Sequence, residues 1–478
     1  MRDSLSIRLS SSTSRDGPAQ EYFDHSSAPR INTDSVVISS LEHQYPNRHI
    51  SIVPEYSANL LAFASAGHAL ALPDPNANAT ESGPLKWTSY VPPAHRLNGQ
   101  QGILAEKVLF GKYKYAYQEA EFILYIIEGR DGYGAYPNVR NQYLVSPSMS
   151  SNAADALVMA AGQFGNQLHN EIWVFNLGVW TKDRALWESV QKSHWDDVIL
   201  DAEMKKSIIN DVTRFYDSRD TYSKLKVPWK RGIIYYGPPG NGKTISIKAM
   251  MHTLYDRPDP VPTLYVKTLA GYAPPEYMLG SIFGKARAEA PCYLVFEDLD
   301  SIVSDNVRSF FLNEVDGLSS NDGILMVGST NHLDRLDPGI AKRPSRFDRK
   351  YLFPNPVFKE RVQYAQFWRN KLNGENGNEE VEFPKKICDA LAEITGGFSF
   401  AYMQEAFVAA LLVIAGQKDT FDANGERLDY SVMAQSMGEY FVEHGGGSRK
   451  NSESDDNDLE KYILWRELKK QSDFIDRG

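Results

Sequence analysis

Apolar and polar positions divide the chain into tracts of different period. Residues 1–45 are polar and rich in serine, with no sustained period, and are expected to form a disordered tail. From residue 46 to residue 186 short alternating stretches recur: Ser51-Ile-Val, Lys107-Val-Leu-Phe, Phe122-Ile-Leu-Tyr-Ile-Ile and Glu171-Ile-Trp-Val-Phe. This alternation predicts strands, and the connectors rich in Gly, Pro and Asn between them predict turns. Residues 151–169 carry apolar side chains at spacings of three and four, which predicts a helix. The tract reads as an α+β N-terminal domain over 46–186.

The next tract, 187–356, behaves differently. A helix is predicted from Ala202, with Ile208, Ile209, Val212 and Phe215 on one face. Unbroken apolar runs then appear at 232–236, 292–296 and 323–328, and 262–267 reads as a further strand, with helical or loop sequence between them. Continuous runs separated by helices predict a parallel sheet covered on both faces, an α/β domain. Residues 357–444 are mainly helical in pattern: a polar loop at 374–380, a break at Gly396-Gly397, then an apolar helix over 401–416. Residues 445–478 read as a Gly/Ser/Asp linker and an amphipathic helix at 459–470.

Composition narrows the class. The chain has 478 residues, enough for two or three domains, and its 42% apolar and 23% charged content is that of a globular protein. A net charge of −10 gives no general attraction to nucleic acid or to an anionic membrane. Cys292 and Cys388 both sit among apolar residues and read as buried thiols, which suits a reducing compartment. The apolar stretches 60–72 and 406–415 are too short for a membrane span. Asp3 and Asp16 argue against a transit peptide. An intracellular soluble protein of the cytoplasm or nucleus, rather than the mitochondrion, is the expectation. His43, His49, His68 and His95 have no metal-ligand spacing, no His-Glu-x-x-His occurs, and Asn370-Lys-Leu-Asn373 lacks the acid of a guanine-reading loop.

The chemistry concentrates at 232–254. Gly-Ile-Ile-Tyr-Tyr leads into Gly237-Pro238-Pro239-Gly240-Asn241-Gly242-Lys243-Thr244, and a helical run follows from Ile245. A strand, a glycine-rich turn and a helix N-terminus are what a phosphate-cradling loop requires, because successive N–H groups then converge on phosphate oxygens. Lys243 reaches the β- and γ-phosphates, and the Thr244 hydroxyl holds Mg²⁺. About 50 residues on, the run Cys292-Tyr-Leu-Val-Phe ends in Glu297 and Asp298. One acid of this pair is assigned to the metal shell and its neighbour to polarising the attacking water. Ser329, Thr330 and Asn331 end a further strand on the γ-phosphate side. Arg343 and Arg346 read either as surface charges or as groups that stabilise transition-state charge on a neighbouring subunit's nucleotide.

In order and spacing, these motifs resemble the AAA ATPase family over residues 195–415. The core is most similar to the subgroup of the mitochondrial translocase that inserts the Rieske iron–sulfur protein, on Pro228-Trp-Lys-Arg-Gly and the Glu-Asp acid order. The resemblance implies a three-layer α/β/α core with a helical lid, ATP and Mg²⁺ as cofactors, and a hexamer acting on a protein partner. It places Asp197, Val198 and the 397–401 turn beside adenine and makes Asn331 the sensor that orients water. Arg343 and Arg346 become fingers acting in trans, and Tyr272 falls near the substrate-gripping pore loop. Two departures stand out: the acid pair is Glu-Asp where most members have Asp-Glu, which by the resemblance gives Glu297 the metal's water shell and Asp298 the attacking water, and Phe400 replaces the usual Gly. The expected function is an ATPase that remodels or translocates a macromolecule. The alternative is a nucleotide-gated binding module with little sustained hydrolysis.

Overall fold

The architecture comes from a computed structural model that describes residues 33–74, 84–93, 101–130, 138–304, 306–316, 320–341, 346–373, 381–416 and 456–476. The chain divides into two compact units, Met1–Gln167 and Leu168–Gly478.

The first unit is α+β. Helix α1 (Thr33–Gln44) lies inside the stretch read as a disordered tail. It is held from within the unit: Asn141 and Tyr143 donate hydrogen bonds of 2.8 and 2.6 Å to Asp34. Strand β1 (Ile50–Pro54), helix α2 (Leu60–Ser65), and strands β2 (Leu70–Pro73), β3 (Leu85–Val91), β4 (Ile103–Tyr117), β5 (Ala120–Arg130) and β6 (Asn138–Val145) follow. The sheet is antiparallel in the order β1-β6-β5-β4-β2, with β3 also paired to β4. Helix α3 (Asn152–Asn166) covers one face through Ala154, Leu157 and Ala161, on the three-and-four spacing that predicted it.

The second unit begins with strands β7 (Ile172–Asn176) and β8 (Val179–Asp183) and helix α4 (Arg184–Gln191). These residues were expected in the N-terminal domain. They differ because β7 pairs in parallel with a later strand of the second sheet, and its residues Ile172 to Phe175 are buried. The unit continues through α5 (Ala202–Asp217), α6 (Arg219–Leu225), β9 (Arg231–Tyr236), α7 (Lys243–Tyr255), β10 (Thr263–Val266), α8 (Pro275–Ala288) and β11 (Cys292–Phe296). Then come α9 (Leu299–Ile302), α10 (Arg308–Asp316), β12 (Ile324–Thr330), α11 (Pro338–Ala341) and β13 (Arg349–Leu352). The strand order is β13-β9-β12-β11-β10-β7-β8, parallel except for the β7–β8 hairpin.

Every residue of β11 and β12 is buried. Side chains alternate between faces: Ile234, Leu294, Phe296 and Met326 join one core, while Ile233, Tyr235, Tyr293, Val295 and Val327 join the other. Helices α8 and α10 cover the first face, and α5 and α7 the second, giving three layers. A helical part follows: α12 (Phe358–Leu372), α13 (Lys386–Ile394), α14 (Phe400–Gly416), α15 (Asp456–Leu459) and α16 (Ile463–Asp476). It has its own core, built on Trp368, Leu391, Phe407 and Ala410. Leu464, Trp465 and Leu468 of α16 are buried in that core, so the amphipathic C-terminal helix completes the lid. The expected loop at 374–380 and most of the expected linker at 445–457 lie outside the described residues. Among the described residues, no helix is long and apolar enough to cross a membrane.

Candidate nucleotide site

The ends of β9, β11 and β12 open on one cavity of about 450 Å³. Gly237 follows β9 with φ +139°, and a Cβ there would lie 2.2 Å from the Phe353 carbonyl oxygen. Gly240 has φ +76°, and a Cβ would meet that of Ala401 at 2.4 Å. Only glycine allows the loop both turns at such close approach. Gly242 caps α7, whose first residue is Lys243, so the loop ends on a free helix N-terminus.

Lys243 is buried, and its ammonium donates to the carbonyls of Gly237 and Pro238, each at 2.8 Å. Burial lowers its pKa, and the charge of Asp298 partly offsets this. A polyphosphate in the cavity would restore the affinity for the proton. Thr244 and Ile245 also line the cavity, with Pro239, Gly240 and Gly242. Asn241 is buried and turned toward the lid. Its amide donates to Asn355 at 2.8 Å, Asn355 donates to the Gly397 carbonyl at 2.9 Å, and the Ala401 N–H donates to the Gly240 carbonyl at 3.2 Å. The loop backbone is thus joined to the turn that starts α14.

Glu297 and Asp298 share the cavity with Lys243, Thr244, Ser329 and Asn331. The sequence-predicted groups of three separate strands therefore meet in one place. Asp298 adopts φ +50°, a left-handed conformation that costs energy for a residue with a side chain, and its N–H donates to the Ser329 hydroxyl at 3.3 Å. Glu297 accepts a hydrogen bond on Oε2 from the Tyr265 hydroxyl, while its Oε1 is buried without a partner. An unpaired carboxylate oxygen on one residue of the lining and a threonine on another suit the water shell of a hard divalent cation. Thr244 and Glu297 are the residues that would hold it.

The rest of the lining differs in chemistry. Asp197, Val198 and Ile199 come from the segment before α5, and Tyr364, Phe400, Ala401 and Gln404 come from the lid. The Tyr364 and Phe400 rings lie 5.1 Å apart at 50°. Apolar and aromatic groups with a few polar ones suit a heterocyclic base. Ile199, Tyr364 and Gln404 escaped sequence reasoning: Ile199 lies one residue beyond the expected Asp197 and Val198, and nothing local marks Tyr364 and Gln404, helix residues that reach the site through the lid.

The two arginines stand differently. Arg343 lies outside the described residues. Arg346 is not the surface charge of one of its two readings. It is 8% exposed, and its Nε and Nη1 donate to Asp316 Oδ2 and the Gly339 carbonyl, each at 2.7 Å. Its backbone carbonyl packs so close to β9 that a Cβ on Gly232 would lie 2.1 Å away. The correction has a simple cause: Asp316, at the end of α10, offers a partner thirty residues away in sequence. Tyr272, on the loop before α8, is fully exposed.

Curated relatives include the ATPase family gene 2 protein of Saccharomyces cerevisiae, 26% identical over 248 residues, covering 48% of this chain and 30% of that protein. The protein of the same name from Schizosaccharomyces pombe is 30% identical over 232 residues, covering 46% of this chain and 27% of that protein. The chain thus matches less than a third of the length of these relatives. The closer likeness to the Rieske-protein translocase subgroup rests on the sequence motifs alone. The family model described as "ATPase family associated with various cellular activities (AAA)" matches residues 233–355. Those residues run from β9 past β13 and carry the phosphate loop and both acids, so the chain contains an AAA ATPase domain, whose usual cofactors are ATP and Mg²⁺.

Proposed function

We propose that this chain hydrolyses ATP and uses the cycle to remodel or move a macromolecular partner, most naturally a protein, as a subunit of an oligomer. The observation that carries the reading is the single cavity shared by Lys243, Thr244, Glu297, Asp298 and Asn331. Lys243 would neutralise charge on the β- and γ-phosphates, helped by the N-terminus of α7. Bound Mg²⁺ would supply further charge neutralisation across the phosphate oxygens. Asp298 would accept the proton of the attacking water, and Asn331 would hold that water in line. Val198, Ile199, Tyr364 and Phe400 would receive the base. The oligomeric expectation follows the family's habit, and the trans-acting finger then falls to Arg343.

The loop-to-lid bonds support a mechanical output. A change at the γ-phosphate shifts the loop, and Asn241, Asn355 and Ala401 pass that shift to α14. Multiple-turnover ATPase assays test the reading directly. Sustained phosphate release that Asp298→Asn abolishes, with a partner retained on that variant in ATP, is the expected result. A single slow turnover would instead favour a nucleotide-gated binding module. Native mass with and without ATP reports the subunit number.

A further inference from the structure

Glu297 sits just beyond β11, and its side chain has three rotatable bonds to fix before the carboxylate can serve a metal shell. The neighbouring strand supplies a means of fixing it. Strands β10 and β11 run parallel with Tyr265 opposite Val295, which brings the phenol within reach of the residue two further along. The Tyr265 hydroxyl donates a hydrogen bond to Glu297 Oε2. The other oxygen, Oε1, is buried and has no partner. Glu297 lines the cavity, whereas Tyr265 is not among the lining residues and touches the site through the carboxylate.

We propose that Tyr265 is a positioning residue for the metal acid: its hydroxyl occupies Oε2 and so leaves Oε1 as the free acceptor facing the hydration shell of nucleotide-bound Mg²⁺. The inference rests on the nucleotide reading above and adds a second-strand residue to it. A carboxylate swinging freely would divide its two oxygens among several rotamers. The phenol removes that freedom and presents one oxygen in one place.

Tyr265→Phe tests this, because it deletes the hydroxyl and keeps the ring. The probe is a fluorescent ADP analogue, titrated without metal and then at rising Mg²⁺. The variant is expected to match the parent in metal-free affinity and to need about tenfold more Mg²⁺ for its half-maximal effect. In a Glu297→Gln background the same substitution should add nothing, since the carboxylate it positions is gone. An unchanged Mg²⁺ requirement in Tyr265→Phe overturns the proposal. So does an equal loss of affinity with and without metal, or the same further loss in the Glu297→Gln background, because each makes Tyr265 merely structural. A parent protein that fails to bind the analogue at all overturns the nucleotide reading itself, which sets that failure apart from the others.

Discussion

Replacing Arg346 by alanine distinguishes a structural ion pair from a catalytic finger. The guanidinium makes a charge-assisted bond to Asp316 and a bond to the Gly339 carbonyl, both at 2.7 Å and largely shielded from water. The charged bond contributes about 1.5–3 kcal/mol and the backbone bond about 1 kcal/mol. Asp316 would not be stranded, because Lys230 still lies 3.1 Å from its Oδ1. The full penalty for an orphaned buried charge therefore does not apply, and the loss should be about 2–4 kcal/mol. For a unit of this size, that is a fall in melting temperature of about 3–6 °C. The pH dependence gives a second handle. Burial acts to raise the Asp316 pKa, but the hydrogen bonds and charges of Arg346 and Lys230 outweigh it and hold the carboxyl below its usual value. A depressed folded-state pKa stabilises the fold above the unfolded pKa, about 3.9, and this stabilisation is lost as pH falls through the folded value. The gap between parent and variant should accordingly be full at neutral pH and narrow in strong acid to the part supplied by the Gly339 carbonyl bond. The assay is thermal melting at several pH values, paired with ATPase measurements and with Arg343→Ala as a comparison. Arg343→Ala should melt like the parent while losing activity. An Arg346→Ala variant that melts like the parent but has lost its ATPase would refute the structural assignment and return Arg346 to the finger role.

Other substitutions probe the rest of the site. Lys243→Ala removes the cation held over the loop carbonyls and should weaken ATP binding by at least about tenfold, the effect of one lost interaction of about 1.4 kcal/mol, in a nucleotide titration. Asp298→Asn should keep ATP binding and lower turnover by about 10² or more, measured as steady-state phosphate release; full activity would place the base elsewhere. Phe400→Ala removes one of the two rings on the lid side and should weaken adenine nucleotides about 3- to 10-fold, with less loss for inorganic triphosphate in a competition assay.

Much of this molecule is written locally. An unbroken apolar run must be buried on both faces, so 232–236, 292–296 and 323–328 read as central parallel strands and are β9, β11 and β12. The phosphate loop is legible because its donors, glycines and lysine are consecutive residues, and the acid pair because it directly ends a strand. What the sequence could not decide depends on pairs far apart in the chain. The stretch Glu171-Ile-Trp-Val-Phe announced a strand but not its partner, and only β10 drew it into the second sheet. Helix α1 looked like part of a polar tail until Asn141 and Tyr143 tied Asp34 to the sheet. Arg346 looked like a charge free to act elsewhere, yet Asp316 claims it. Tyr265 looked like an ordinary strand aromatic, yet parallel register sets its hydroxyl against Glu297. Local period reports what a segment does with its own backbone and faces. Strand order, and the partner that each buried polar group finds, come from closing long loops, and that information is spread over the whole chain.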